Sequence, residues 1–257
     1  MNKKLTFDHA VIVVPELEQA ISNFAALGFN VQRGGSSKPA HNALIYFGDG
    51  TYIELITLIS RPARLLFRLL YITGLLGLAA SRKPTIRSRF MLWFGGPTGL
   101  RDWCVRCSSL DNTIEHFRHQ GIETFDGKYF SRKKPNGDLA EWRLAGPADK
   151  HMPFLIEDIS PTQIRVPYKN TSDHENGASG IAAVVLQCTT GQHVIQSLLS
   201  CGGEKASDAS ACTLGNVDIR LAESPSAPLI ALELHCSGTK KGLLAEGKTF
   251  GARIKLT

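Results

Sequence analysis

Along this chain hydrophobic positions keep first a period near two, then one near 3.6, and that succession occurs three times. The run Phe7 to Val14 is apolar with a polar interruption at His9, which predicts a buried strand. After the acidic opening Pro15-Glu16, residues Leu17, Ile21, Phe24 and Leu27 fall at helical spacing up to Gly28, predicting a helix with a glycine stop. Phe29 to Gln32 predicts a second strand, Gly34 to Pro39 a loop, and His41 to Phe47 a third strand. Gly48-Asp49-Gly50 is a turn signal, and Tyr52 to Thr57 returns as the fourth strand. The unit is βαβββ.

The same unit recurs after residue 101. Leu110, Ile114, Phe117 and Gly121 repeat the spacing of Leu17, Ile21, Phe24 and Gly28, and Asp102-Trp103 aligns with Asp8-His9. Tyr129 to Ser131, a Pro135-Asn136-Gly137 turn and Leu139 to Leu144 predict the hairpin. Phe154 to Ile159 then closes the unit, with Glu157 aligned to Glu54. A third, weaker echo follows a polar linker. Ile181 to Leu186 predicts its strand, Ile195, Leu198 and Gly202 its helix, and Cys212 to Leu221 its hairpin. Ala183 and Arg220 there replace His9 and Glu54, so this unit reads as structural, with Leu229 to Leu234 and Phe250 to Leu256 expected at its edge.

The expected architecture is α+β. Paired βαβββ modules at 5–59 and 102–160 form a cup-shaped mixed sheet, interrupted by a helical insert at 60–101. A linker at 161–179 leads to a degenerate third module at 180–257. Pro62 to Leu78 reads as one or two amphipathic helices that stop at Arg82-Lys83-Pro84. The uncharged stretch Leu69 to Ala80 is shorter than the roughly 20 residues that span a bilayer.

Net positive charge is concentrated in the insert. No Asp or Glu lies between Leu55 and Leu100, while Arg61, Arg64, Arg68, Arg82, Lys83, Arg87 and Arg89 supply seven positive charges against a net +6 for the 257 residues. The insert therefore reads as a lid, a decoration of the sheet, or a membrane-surface contact through 61–80. Nucleic acid is not indicated, because the basic charge is confined and no nucleic-acid-reading module is recognisable. Six scattered cysteines do not form a disulfide framework, and Cys104 and Cys107, three apart in a strand, point to opposite faces. With no signal-peptide pattern at the start, a cytoplasmic location is expected, as a monomer or homodimer.

The opening run 8–17, together with Gly48 to Leu55, resembles the vicinal oxygen chelate superfamily. His41-Asn42, Pro153 to Glu157 and His174 to Gly177 resemble the bacterial glyoxalase-like domain family more narrowly. That resemblance implies a cup around a divalent metal, Zn, Mn, Fe or Ni, held by His9, Glu54 and Glu157. It also implies Glu54 or Glu157 as base, and His41, Trp103 and His174 against a small-molecule ligand. Trp103 departs from the pattern, because an indole cannot ligate a metal; His41 or water fills the position, or no metal binds. Two functions follow: a metal-dependent isomerase, lyase or dioxygenase acting on vicinal oxygens, or a metal-free binding or resistance-type sequestering protein.

Overall fold

The computed structural model describes every residue except 1–4, 38–39, 134–136, 167–172, 207–210, 223–229 and 239–240. Pro135 and Asn136 of the expected turn and part of the expected linker therefore lie outside the described residues. The first module runs β1 (Thr6–Val13), α1 (Leu17–Ala26), β2 (Gln32–Ser37), β3 (Ala40–Tyr46) and β4 (Tyr52–Leu58). The insert follows as α2 (Arg61–Ile72), α3 (Leu75–Arg82) and α4 (Ile86–Gly95). The second module is β5 (Gly99–Arg106), α5 (Leu110–His119), β6 (Thr124–Lys133), β7 (Leu139–Pro147) and β8 (Phe154–Asp158). Together the two modules make one eight-stranded sheet, ordered β2-β3-β4-β1-β5-β8-β7-β6. It curls until its edge strands β2 and β6 meet.

Each helix forms because one stripe of its sequence is apolar. In α1 the residues Leu17, Ala20 and Phe24 are buried, and in α5 Leu110, Ile114 and Phe117. Each large side chain so buried contributes about 1.5–3 kcal/mol. Gly28, just past the C-terminal end of α1, has φ +85°, and a Cβ there would lie 2.9 Å from the backbone nitrogen of Asn176, so both conformation and space require glycine.

The expectation for β2 was displaced: the strand occupies Gln32–Ser37, where a loop was predicted from Gly34 onward. Pairing to β3 supplies hydrogen bonds that local composition does not reveal. The insert carries a third helix beyond the two read from periodicity. Thr85 accepts from the Ser88 N–H at 3.1 Å and Ser88 Oγ accepts from the Thr85 N–H at 2.9 Å, a capping box that starts α4 just after Pro84. The expected linker also contains a short helix, α6 (Thr162–Arg165).

A second sheet follows the linker. Its elements are β9 (Ala178–Leu186), α7 (Cys188–Ser200), β10 (Glu204–Lys205), β11 (Ala211–Leu214), β12 (Val217–Leu221), β13 (Ile230–Cys236), β14 (Gly242–Leu243) and β15 (Ile254–Leu256). The order β10-β11-β12-β9-β13-β15-β14 places β13 beside the first strand of the third unit, not at the edge where the sequence suggested it. β13 pairs antiparallel with β9 as β5 pairs with β1, so residues after 229 supply the other half of a reduced second cup. One apolar core, including Phe24, Phe117, Trp103, Ile181, Leu198 and Leu234, joins the two sheets and α1, α5 and α7.

Candidate active site

The register of β1 against β5 determines which residues of the two modules are equivalent. Ala10 lies opposite Trp103, with His9 opposite Cys104 on one side and Val11 opposite Asp102 on the other. Irregularities flank both ends symmetrically, between Phe7 and His9 and between Val11 and Ile12. Exchanging the strands leaves this ladder unchanged, so Asp102 is the counterpart of His9 and Trp103 that of Ala10. The sequence alignment of His9 with Trp103 was one residue out. On the outer side, Val11 pairs with Glu54 of β4 and Cys104 with Phe154 of β8, so Phe154, not Glu157, is the counterpart of Glu54.

These equivalences separate the predicted site residues by face. His9 and Glu54 come together inside the cup. Trp103 is fully buried on the opposite face, stacked on Phe7. Glu157 also faces away: Phe154 and Ile156 line the cup, whereas Leu155 belongs to the core on the α5 side, and Glu157 meets Arg143 at 3.3 Å, itself bound to Asp111 of α5. His41 shares the face of Ala43 and Ile45 in the core, while its neighbour Asn42 turns to the cup with Leu44 and Tyr46. His174 is a staple: Nδ1 accepts from the Asn30 N–H at 2.9 Å and Nε2 lies 3.0 Å from the Tyr46 carbonyl oxygen. Burial lowers its pKa below the ordinary value.

Inside the cup, His9 is held on every side. The irregularity after Phe7 lets consecutive residues Asp8 and His9 both serve the same interior. His9 Nδ1 lies 2.7 Å from Asp8 Oδ1, its ring stacks on Tyr52 at 4.5 Å between centroids, and the Phe154 ring meets it edge-on. Arg165 of α6 grips Asp8 with two bonds of 3.0 and 2.9 Å, reaches the Tyr52 hydroxyl at 2.7 Å, and binds Asp158 with Nε at 2.5 Å. Burial by itself would raise the Asp8 pKa, but Arg165 and His9 outweigh it and hold the carboxyl well below the usual carboxylate range. An ionised Asp8 places a proton on Nδ1, and Nε2 faces Glu54 Oε2 at 3.7 Å. Glu54 Oε1 accepts from Asn42 Nδ2 at 2.5 Å, and the side chain keeps 17% of its exposure, against 4% for His9.

The second-module half of the cup is closed. Asp102 receives Arg89 Nε at 2.6 Å and Nη2 at 2.7 Å, Trp93 Nε1 at 2.7 Å and the Trp103 N–H at 2.8 Å. Phe154 packs under Trp93, with the Arg89 guanidinium 5.7 Å above its ring. Both Arg89 and Trp93 come from α4, so the insert covers the positions equivalent to His9 and Glu54.

Among the described residues, the donor groups that fit a divalent metal gather around His9. The 3.7 Å gap between His9 Nε2 and Glu54 Oε2 exceeds a hydrogen bond. It suits two donors that each stand about 2.1 Å from one ion. Asp8, His9 and Cys104 also bring ligand-type atoms within 4.8 Å of one another, making a possible metal site. Of those three, Asp8 is engaged by Arg165, and burial followed by the Asp8 charge pushes the Cys104 thiol well above its usual pKa. Two surface clefts, of about 320 and 180 Å³, lie elsewhere, beside Gly28 and beside Pro84. The His9–Glu54 pair lines neither cleft.

A curled sheet of paired βαβββ modules with inward-facing His9 and Glu54 is the vicinal oxygen chelate fold. Residues 7–201 match the Glyoxalase-like domain family, and the chain belongs to that family. Its whole length is similar to a solved hypothetical protein from Staphylococcus aureus, with TM-score 0.67 and 14% identity over 98% of this chain and 99% of that one. It is also similar to a Mn(II)-bound glyoxalase from Novosphingobium aromaticivorans, with TM-score 0.50 and 9% identity over 99% and 82% of the respective chains. No curated protein matches the sequence.

Proposed function

We propose that this protein is a metal-dependent enzyme acting on a small molecule with adjacent oxygens, an isomerase, lyase or dioxygenase, at the His9–Glu54 side of the cup. The observation that carries this reading is the buried Asp8–His9 pair, whose free Nε2 faces a carboxylate across 3.7 Å. His9 Nε2 and Glu54 would hold the ion, which supplies Lewis-acid polarisation of substrate oxygens. The similar Novosphingobium protein, a Mn(II)-bound glyoxalase, supports a metal of this kind.

The chain's own residues do the rest. Asp8 keeps the His9 proton on Nδ1 and orients the ring, an outer partner that raises ligand basicity. Tyr52 and Phe154 hold the imidazole between two rings and keep water from it. Asn42 ties one Glu54 oxygen, leaving the other to bind or, where it is not a ligand, to accept a proton from carbon beside a substrate carbonyl. The closed second half restricts substrate to one side of the cup.

Elemental analysis of the purified protein after supplementation with Mn, Zn, Fe and Ni salts tests this. We expect one divalent metal per chain, lost in His9→Ala and in Glu54→Gln. A wild type with only trace metal after supplementation would sink the proposal.

A further inference from the structure

Six large aliphatic side chains on α2 and α3 face water with no partner. Leu65, Leu66, Leu69, Ile72, Leu75 and Leu78 are each between 49% and 73% exposed, half of the twelve large exposed hydrophobics among the described residues. Helix α2 buries no residue at all. Patches of this kind on a folded chain mark interaction surfaces. Leu65, Leu69 and Ile72 share one stripe of α2, and Arg61, Arg64 and Arg68 run along the adjoining stripe. Arg68, Arg82, Lys83 and Arg87 are exposed and enter no ion pair among the described residues.

We propose that this face docks on the surface of an anionic phospholipid bilayer, with the leucines in the headgroup–acyl boundary and the basic residues against the headgroups. Charge complementarity selects this occupant. The 56–99 stretch contains no acidic residue, so a second copy meeting it face to face would set arginine against arginine. The helices lie on the surface and do not cross it. Among the described residues no single helix is long and apolar enough to span, and α2 and α3 are bent by 83° at their junction. They are also anchored to the fold: Arg64 donates to the Pro15 carbonyl oxygen and to Thr57 Oγ1, and Leu76 and Ala80 of α3 are buried. The inference stands independently of the metal chemistry.

Flotation of the full-length protein with phosphatidylcholine vesicles, with and without phosphatidylglycerol, decides it. The wild type is expected to float with the anionic vesicles and not with the neutral ones. Arg68→Gln/Arg82→Gln/Lys83→Gln is expected to bind on the order of 100-fold more weakly, about fivefold per charge. Leu65→Ser/Leu69→Ser/Ile72→Ser is expected to abolish flotation. Because all six side chains are exposed, both variants should keep the wild-type melting temperature. Failure of the wild type to float with anionic vesicles overturns the proposal, as does flotation unchanged in both variants. If, without flotation, light scattering reports a dimer that the leucine variant dissociates, the face is instead an interface between copies.

Discussion

The two halves of the cup share one backbone and have opposite interiors. In the first module, position for position, there stand a histidine oriented by Asp8 and a partly exposed glutamate; in the second there stand an aspartate saturated by four donors and a phenylalanine. A β-ladder that maps onto itself specifies where side chains point but not what they are. The difference lies in what each half is given to close against. Module one meets α6, whose Arg165 binds Asp8 and leaves His9 Nε2 unused. Module two meets α4, whose Arg89 and Trp93 consume both oxygens of Asp102. The second sheet closes its equivalent position in a third way: Arg220 lies against Val185 as Glu54 lies against Val11, and binds Glu233 at 2.5 Å.

The largest effect that would break this contrast is removal of the plug. Arg89→Ala leaves Asp102 charged and buried, and should cost about 3–5 kcal/mol in chemical denaturation. A loss under about 1 kcal/mol, the range of an exposed ion pair, would mean that Asp102 is not closed by the insert. Trp93→Phe keeps the packing on Phe154 and removes one bond to the carboxylate, so about 1.5–3 kcal/mol is expected by the same measurement. On the open side, Asp8→Asn should weaken metal affinity about 10–100-fold, read by competition with a chelating dye. Unchanged affinity would separate Asp8 from the site.

The smallest effect concerns His174, which staples the segment after α6 to module one and has no counterpart in module two. Its folded-state pKa is depressed by burial from an ordinary value of 6.5. Its contribution is therefore fully present above that value and is lost as pH falls through the folded-state pKa. Stability should decline below about pH 6.5, by less than about 1.4 kcal/mol per pH unit, and His174→Gln should flatten that slope.

Much of the fold was legible because apolar spacing in a strand or helix reports the face it buries. Leu17, Phe24, Leu110 and Phe117 stood out as repeats, and they occupy equivalent places in one core. His9 and Glu54 were legible because a polar group within an apolar strand needs a reason to be there. Asp8 was visible in the same run, yet its importance depends on Arg165, which is 157 positions away in sequence. Pairing His9 with Trp103, and Glu54 with Glu157, failed for a related reason. A register error of one residue reverses the face, and only hydrogen bonding between strands reveals register.

The repeated βαβββ frame, the apolar stripes that curl it, and a basic insert with no acidic residue could all be read from the chain before any contact was known. These depend on local periodicity and composition, which a chain carries before it folds. Which of the two equivalent positions has its polar group fully bonded depends on contacts between distant segments. That choice depends on whether α6 or α4 brings its arginine to a buried carboxylate, an energy that exists only once distant segments meet in a medium of low dielectric.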